Sequence, residues 1–314
     1  MKTIFDKYHL SPRLPYDSFD GDREVQREIQ KGSGRISISG VQPKYSMIPE
    51  GGVLKLAPEG RRGEYIAKPA PTASYILDRK HCPANEYLTM QIASRVYSIE
   101  TAENGLCTLG NGEYVYVTKR FDVMPDGGKR AMEDLASVAG LGKFNGGEDY
   151  KYNVLSYEEC AKLIADNTKS SKVEVLKFFR LVVYNFLTLN DDAHLKNFTL
   201  LEYGPGDYRL SPAYDLLNTS LHLAWPSIFA LKKGLLREGM PERLDTFAVD
   251  GGLFVEFGKR VGLPDKLIRS ELDRFCADYP EAEKMIRASA LPDHLQESYL
   301  SGYNYRKKML KWGR

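Results

Sequence analysis

Residues 184–218 constrain this chain more than any other stretch, because polar side chains crowd into a short segment directly after an apolar run. A strand-like segment (198–203), a Gly/Pro-rich turn (204–207) and a second short strand (208–210) follow, and this pattern predicts a β-hairpin. Asp215 comes just beyond the hairpin, so the fold would return a second carboxylate towards the polar segment. The polar set is Asn190, Asp191, Asp192, His194, Lys196 and Asn197.

The spacing within this segment predicts chemistry on phosphate. Asp192 stands five residues before Asn197, which is the Asp-to-Asn interval of the protein-kinase catalytic loop. Asn197 and Asp215 could supply the oxygen ligands that Mg²⁺ prefers, and Asp192 would orient or accept the proton of an attacking hydroxyl. His194 and Lys196 could neutralise phosphate charge. The alternative is a solvated polar loop at a helix end, which the hairpin and the second Asp disfavour.

Charge and composition exclude several other classes. The net charge of +2 is too balanced to indicate a nucleic-acid-binding protein by charge alone. The first 20 residues contain no apolar run of signal-peptide length, and no stretch could span a bilayer. The four cysteines lie far apart, which argues against a zinc site or a disulfide framework. Reduced thiols and a cytoplasmic protein are therefore expected.

Two segments of the first half predict nucleotide contacts. Glycines and serines between strand-like runs predict a strand–loop–strand over 32–47, preceded by a short helix over 22–31. Small residues let backbone N–H groups approach phosphate oxygens, although an ordinary hairpin loop would have the same composition. A strand over 64–68 ends in Lys68, in the manner of the strand lysine of kinases.

A helix is predicted over 83–97, with Leu88, Ile92 and Val96 on one face. Glu86 near its start could pair with Lys68, as in kinases, or could be a favourable charge in the first turn of the helix. The two interpretations remain open at this stage.

The segment 108–120 predicts a hairpin, and 119–122 would be a hinge whose exposed backbone could hydrogen-bond adenine while Phe121 stacks on it. Flexible loops are predicted over 124–130 and 140–153. Helices are predicted over 132–139, 156–167, 172–189, 253–261, 265–278, 281–288 and 293–312.

Strands therefore precede helices along the chain, which predicts an α+β fold of two lobes with a cleft between them. The β-rich lobe would be 1–122 and bind nucleotide, and the all-α catalytic lobe would be 123–314.

Four segments together resemble a known family. They are 36–44 (Ile-Ser-Ile-Ser-Gly-Val-Gln-Pro-Lys), 85–87 (Asn-Glu-Tyr), 119–122 (Lys-Arg-Phe-Asp), and 190–198 taken with 210–215. In order and spacing they resemble the HipA-like serine/threonine kinases of bacterial toxin–antitoxin systems. One departure is Asp-Leu-Leu at 215–217, where other kinases have Asp-Phe-Gly.

The resemblance implies residue roles. Asp192 would be the catalytic Asp, assisted by His194 and Lys196, and Asn197 and Asp215 would bind magnesium. Either Ser37 or Ser39 would be autophosphorylated. The residues implied in binding ATP are Ser39, Gly40, Lys68, Glu86, Lys119, Phe121, Asp122 and Tyr214, with Lys119 and Phe121 contacting adenine by backbone and ring and Asp122 near the ribose.

The resemblance also implies partners. Only 32 residues precede Ser33, so the chain resembles the short, HipT-like form, whose missing N-terminal subdomain is a separate protein. The family's antitoxin is a helix-turn-helix DNA-binding protein, so this chain would contact DNA only indirectly. The known targets of the family's kinases are aminoacyl-tRNA synthetases. The expected activity is that of an ATP- and Mg²⁺-dependent protein kinase. A small-molecule phosphotransferase and a catalytically idle subunit of a repressor complex are the alternatives.

Overall fold

A computed structural model describes residues 3–19, 42–124, 126–241 and 249–311. The N-terminal portion contains a five-stranded antiparallel sheet of order β2-β1-β3-β5-β4. Its strands are β1 (Tyr45–Glu50), β2 (Val53–Leu56), β3 (Tyr65–Lys68), β4 (Asn104–Thr108) and β5 (Tyr114–Lys119). The helix predicted over 22–31 and the loop serines Ser37 and Ser39, with Gly40, lie outside the described residues.

Each face of this sheet packs against a helix. The short helix α1 (Ile4–Tyr8) covers one face, where Ile4 and Phe5 join Met47, Leu54 and Val117 in a small apolar core. Helix α2 (Cys82–Arg95) contacts β4 and β5 on the other side. Almost every residue of α2 is buried because it also packs against the C-terminal lobe, with which it shares the main core.

The C-terminal lobe is mainly helical. Its helices are α3 (Leu135–Val138), α4 (Lys143–Gly146), α5 (Tyr150–Asn153), α6 (Tyr157–Asn167), α7 (Ser171–Leu187), α8 (Gly251–Arg260), α9 (Asp265–Cys276), α10 (Pro280–Arg287) and α11 (Asp293–Met309). Helix α6 begins at a capping box, in which the Ser156 hydroxyl accepts from the Glu159 N–H and Glu159 accepts from the Ser156 N–H. Helix α7 lies at the centre of the core, and eleven of its residues are buried.

This lobe is not entirely helical, contrary to the sequence prediction. A three-stranded antiparallel sheet combines β6 (Met132–Asp134), β7 (Thr199–Glu202) and β8 (Tyr208–Leu210). The predicted hairpin is confirmed, but the helix expected over 132–139 is wrong in its first half. Residues 132–134 pair with β7 instead, and the Asp134 side chain caps α3 by accepting from the Ser137 N–H.

A hydroxyl network attaches α2 to the C-terminal lobe. The Thr89 hydroxyl lies 3.0 Å from the Tyr299 hydroxyl of α11, and the Tyr184 hydroxyl of α7 donates to the Thr89 carbonyl (2.6 Å). Tyr97, just after α2, is hydrogen-bonded to Tyr303 of α11. All of these groups are buried, so α2 contacts the C-terminal lobe through satisfied polar groups as well as apolar ones.

Two further sequence expectations bear on the described residues. No described helix is long and apolar enough to cross a membrane. All four cysteines are free thiols in the structure, and Cys82, Cys107 and Cys160 are buried. The Gly-rich segment 140–153, which was predicted to be a flexible loop, contains α4 and α5, and Tyr152 within it is fully buried.

His222 is buried beside the start of α2. Its Nδ1 lies 2.9 Å from the Leu77 carbonyl and donates to it, and its Nε2 has no hydrogen-bond partner among the described residues. Burial lowers the pKa of His222 to about 4, against the opposing effects of the Leu77 carbonyl and Asp78, while His81 lowers the pKa further. The imidazole is therefore neutral at pH 7.

We expect this histidine to make stability fall in acid. Its folded pKa lies below the unfolded value of about 6.5, so its contribution is full above that pH and is lost as the pH falls towards 4. From this group alone the wild type should be about 2 kcal/mol less stable at pH 5 than at pH 7. His222→Asn keeps a donor for Leu77 but cannot titrate, so it should lose about 2 kcal/mol less over this interval. Urea unfolding at both pH values measures the difference, and equal losses in the two proteins would contradict the prediction.

Candidate active site

The polar segment after α7 has a fixed backbone. Helix α7 ends at Leu187 rather than at the predicted 189, because Leu189 adopts a left-handed conformation with φ 53°. The Asn190 amide group donates to Asn185 Oδ1 (2.8 Å). The Thr219 hydroxyl donates to the Leu189 carbonyl (2.8 Å) and accepts from the Asp191 N–H (2.9 Å). A residue of α7 and a residue of a later turn therefore determine the path of this loop.

The two consecutive carboxylates of the loop have different partners. Asp191 Oδ2 accepts from the Ser227 N–H (2.6 Å) and so joins the loop to the segment after Thr219. Asp192 Oδ1 accepts from the Tyr152 hydroxyl (2.7 Å). Both are buried. Asp191 therefore accepts a hydrogen bond from the backbone of a later segment, whereas Asp192 accepts one from a side chain of α5.

A buried lysine unites three of the predicted site residues. Lys68 Nζ lies 2.7 Å from Glu86 Oε1 and is also paired with Asp215 Oδ1, and Lys44 Nζ lies 4.0 Å from Asp215 Oδ2. The side chains of Lys68, Glu86 and Asp215 are only 5%, 3% and 12% exposed. This geometry confirms the ion-pair interpretation of Glu86, and it also brings Asp215 to the strand lysine, a contact that the sequence did not predict.

The charges of this triad depend on one another. Burial lowers the pKa of Lys68, but the Asp215 and Glu86 carboxylates raise it by more, so the pKa is raised overall and the ammonium stays charged. Burial raises the pKa of Glu86 to about 7, although Lys68 lowers it. One buried cation is thus shared by two carboxylates, and a polyphosphate entering the cleft would compete with Asp215 for it.

The donor set fits a metal ion held largely by phosphate. Asn197 Nδ2 lies 3.3 Å from Asp215 Oδ2, so one amide and one carboxylate lie side by side. Within the described residues, no cluster of three or more His, Cys, Asp or Glu side chains could hold a metal alone. Mg²⁺ is commonly bound by one or two protein oxygens together with water and substrate phosphates. Asn197 and Asp215 would serve as such ligands.

Two of the predicted hinge residues, Phe121 and Asp122, have side-chain partners in the structure, an aromatic ring and a guanidinium group. The ring centroids of Phe121 and Tyr214 lie 5.7 Å apart. The Lys119 N–H donates to the Glu103 carbonyl (2.7 Å), and its ammonium lies 3.8 Å from the centre of the Tyr8 ring, so its side chain is engaged there. Asp122 accepts two hydrogen bonds from Arg120 (3.0 and 2.7 Å), and a ribose hydroxyl would have to share it with that guanidinium.

The surroundings of His194 argue against a charge-neutralising role. Its ring meets that of Tyr152 edge-on at 4.9 Å, and its Nδ1 has no hydrogen-bond partner among the described residues. Burial lowers the pKa of His194 to about 4, despite the opposing effect of Asp192. A neutral imidazole at pH 7 contributes packing to the loop and no positive charge to a phosphate.

Lys196 lies in the loop, but its ammonium pairs with a carboxylate outside the loop. Its ammonium lies 2.6 Å from Asp134 Oδ2, and its side chain is 43% exposed. Its carbonyl accepts from the Tyr214 hydroxyl (2.8 Å), which joins the loop to the residue before Asp215. A phosphate near Lys196 would compete with Asp134 for this ammonium.

Sequence reasoning missed two contributors to the site. Tyr152 was assigned to a flexible loop, and only its distant contact with Asp192 reveals it. Asn85 was noted only within a motif. Its amide donates to the Asn218 carbonyl (2.8 Å) and accepts from the Asn218 N–H (3.1 Å), so α2 is joined to the segment after Asp215. An Asn beside the ion-pairing Glu86 was the available signal.

Comparisons with known proteins found similar sequences and a similar fold. A sequence model of the family described as HipA-like C-terminal domain matches residues 36–283. A Haemophilus influenzae protein named "Putative kinase" is 28% identical over 326 residues, covering 98% of this chain and 90% of that protein. The serine/threonine-protein kinase toxin HipA of Shewanella oneidensis is 25% identical over 271 residues, covering 81% of this chain and 58% of the toxin.

A solved structure has the same fold. It is the complex of HipA, HipB and operator DNA from the Shewanella oneidensis toxin–antitoxin system, and it superposes with a TM-score of 0.66 at 23% identity. The match covers 89% of this chain and 65% of that one. The chain thus spans less than two thirds of the toxin's length in both comparisons, and the α+β two-lobed architecture is shared.

Proposed function

This chain belongs to the HipA-like C-terminal domain family, and on that premise we propose that it is an ATP- and Mg²⁺-dependent protein serine/threonine kinase. Nucleotide would bind between lobes 1–122 and 123–314. The observation that carries the proposal is the buried Lys68–Glu86 ion pair with Asp215 beside it, because kinases need a Lys–Glu ion pair and a metal-binding Asp for phosphoryl transfer. Asp192 and Asn197, on the loop after α7, complete the proposed set of catalytic and metal-binding residues.

Each residue of the site has a separate role in the proposed reaction. Lys68 binds phosphate oxygens of ATP, and Glu86 orients its ammonium. Magnesium, when bound by Asn197 and Asp215, neutralises phosphate charge. Asp192 orients the substrate hydroxyl and accepts its proton while the serine oxygen bonds to the γ-phosphorus and the bond to the leaving ADP breaks. Phe121 and Tyr214 provide an apolar surface for the adenine ring.

Labelled ATP tests this proposal directly. The purified protein, incubated with γ-labelled ATP and Mg²⁺, should transfer label to itself or to an added protein, and EDTA should prevent the transfer. Label found only on small molecules would instead favour a small-molecule phosphotransferase. No transfer under any condition, by protein that is shown to be folded, would favour a binding subunit without activity and overturn the proposal.

We also propose that the chain is the toxin component of a system with a helix-turn-helix antitoxin that contacts DNA. The support is the name of the Shewanella relative and the HipB and operator DNA present in that complex. Its substrate would be a protein, with aminoacyl-tRNA synthetases as the class to test first. Normal growth of cells that express an active kinase without the antitoxin would overturn the toxin assignment.

Self-phosphorylation in the segment 33–44 is expected. Mass spectrometry after incubation with ATP should find phosphate on Ser37 or Ser39, and none in the Asp192→Asn variant. A phosphoryl group adds about −1.5 to −2 charges, which would repel the triphosphate nearby. The double variant Ser37→Asp, Ser39→Asp should therefore bind ATP more weakly than wild type. The double Ser→Ala variant is the matched control, and wild-type ATP binding and transfer by the double Asp variant would contradict the mechanism.

A further inference from the structure

Tyr152 contacts the proposed catalytic carboxylate from outside the catalytic loop. Its hydroxyl donates to Asp192 Oδ1 at 2.7 Å, although the two residues are 40 positions apart. The Tyr152 side chain is fully buried, and Asp192 is 5% exposed. The hydrogen bond is therefore shielded from solvent, where a bond to a charged acceptor is stronger than one between neutral groups.

The phenol ring itself is fixed on several sides. The Tyr152 carbonyl accepts from the Lys232 N–H (2.9 Å), which joins α5 to the chain after Asp215. Its ring packs edge-on against His194 at 4.9 Å, and helix α5 contacts the turn at Leu195–Asn197. The hydroxyl therefore reaches Asp192 from a position that the rest of the lobe determines.

We propose that Tyr152 is a positioning residue for phosphoryl transfer, which sets the plane of the Asp192 carboxylate. This inference rests on the proposed kinase function. Rotation of a carboxylate about its last bond has a broad energy profile, so an unrestrained Asp192 would sample many orientations towards an incoming hydroxyl. A hydrogen bond from a rigid phenol selects one orientation, and a misplaced catalytic group costs rate without affecting nucleotide binding.

Simple satisfaction of a buried hydroxyl does not explain this contact. Buried tyrosines need a partner, but a backbone carbonyl suffices. Tyr157, at the start of α6, donates to the Ala193 carbonyl (2.9 Å), and Tyr184 donates to the Thr89 carbonyl. Tyr157 thus reaches the same loop one residue away from Asp192 without contacting the carboxylate. Tyr152 and Tyr157 can therefore be compared directly.

The experiment compares Tyr152→Phe with Tyr157→Phe. Each change removes one buried hydroxyl that donates a hydrogen bond to the same loop. We expect Tyr152→Phe to lower kcat by about 10- to 100-fold, the range seen when hydrogen-bond partners that orient metal ligands are removed, with the KM for ATP unchanged. Tyr157→Phe should stay within about threefold of wild type once activity is expressed per folded molecule. A wild-type kcat for Tyr152→Phe, or an equal loss in Tyr157→Phe, would overturn the inference.

A double-mutant cycle separates positioning from general stiffness of the lobe. In the Asp192→Asn background, Tyr152→Phe should cause little further loss of transfer, because its effect passes through that carboxylate. The same factor of loss in both backgrounds would overturn the inference.

Melting temperatures of a second cycle, in which Asp192→Ala removes the acceptor of the Tyr152 hydroxyl, provide a readout that does not need activity. Non-additive shifts are expected from a direct contact, and additive shifts would count against it. If wild type transfers no phosphate but the shifts are non-additive, the proposed function fails while the contact stands.

Discussion

Asp192→Asn should lower phosphoryl transfer to a small residual rate and leave ATP binding intact. The change removes the charge that accepts a proton but keeps the shape of the side chain, and its amide oxygen can still accept from the Tyr152 hydroxyl. Lys68 and the aromatic pair of Phe121 and Tyr214 do not change. General base groups contribute about 10²–10⁴-fold to rate, so a loss of at least 10²-fold is expected.

Calorimetry with ATP and Mg²⁺, together with the labelled-ATP assay, measures both halves of this prediction. The matched control is Asp191→Asn, the same chemical change at the adjacent position. Asp191 accepts from the Ser227 N–H, and an amide oxygen can do so too. That variant should therefore transfer phosphate at close to the wild-type rate per folded molecule. Lost ATP binding in Asp192→Asn with an unchanged melting temperature would make Asp192 a metal ligand instead.

Asp215→Asn should have a comparable effect through the metal. Asn tolerates the left-handed backbone conformation of this position, where φ is 55°, so the local structure should survive. The variant loses a charged ligand for Mg²⁺, and we expect transfer to fall by about 10²-fold or more and to need more Mg²⁺ for half-maximal rate. A Mg²⁺ titration of the transfer rate measures both effects.

This variant should also be less stable, since Lys68 loses one of its two carboxylates. The loss should be smaller than the about 3–5 kcal/mol that follows when a buried charge has no partner left, because Glu86 remains. Asp207→Asn, at an exposed turn of the preceding hairpin, is the control and should change neither property. Transfer by Asp215→Asn at more than about a tenth of the wild-type rate would exclude the assignment.

Local patterns in the sequence predicted local structure well. The capping box at Ser156 predicted a helix ending near Asn167, and α6 ends there. The Gly/Pro turn at 204–207 predicted the hairpin of β7 and β8. Both features depend on hydrogen bonds between residues a few positions apart, so the residue types alone specify them. The Lys68–Glu86 pair was predicted as one of two options and the structure decided between them.

Features that depend on distant contacts were not predictable. Residues 132–134 become a strand only because β7 offers a free edge some 65 positions later in the chain. The burial of His194, which lowers its pKa and removes its charge, depends on α5 and on the whole lobe behind it. Tyr152 has no clear local signal, since the residues shortly before it, Gly146-Gly147-Glu148-Asp149, are typical of a loop. In each case tertiary packing outweighed the local pattern.

The attachment of α2 to the C-terminal lobe has a consequence for control of the proposed kinase activity. In many kinases the helix that carries the ion-pairing Glu moves to switch activity on and off. Here such a tilt would break the buried Thr89–Tyr299 and Tyr97–Tyr303 contacts and expose their aromatic rings. We therefore expect an always-assembled ion pair, with regulation acting on entry to the cleft. Inhibitors that require a displaced helix should find no room, whereas those that compete with ATP should bind.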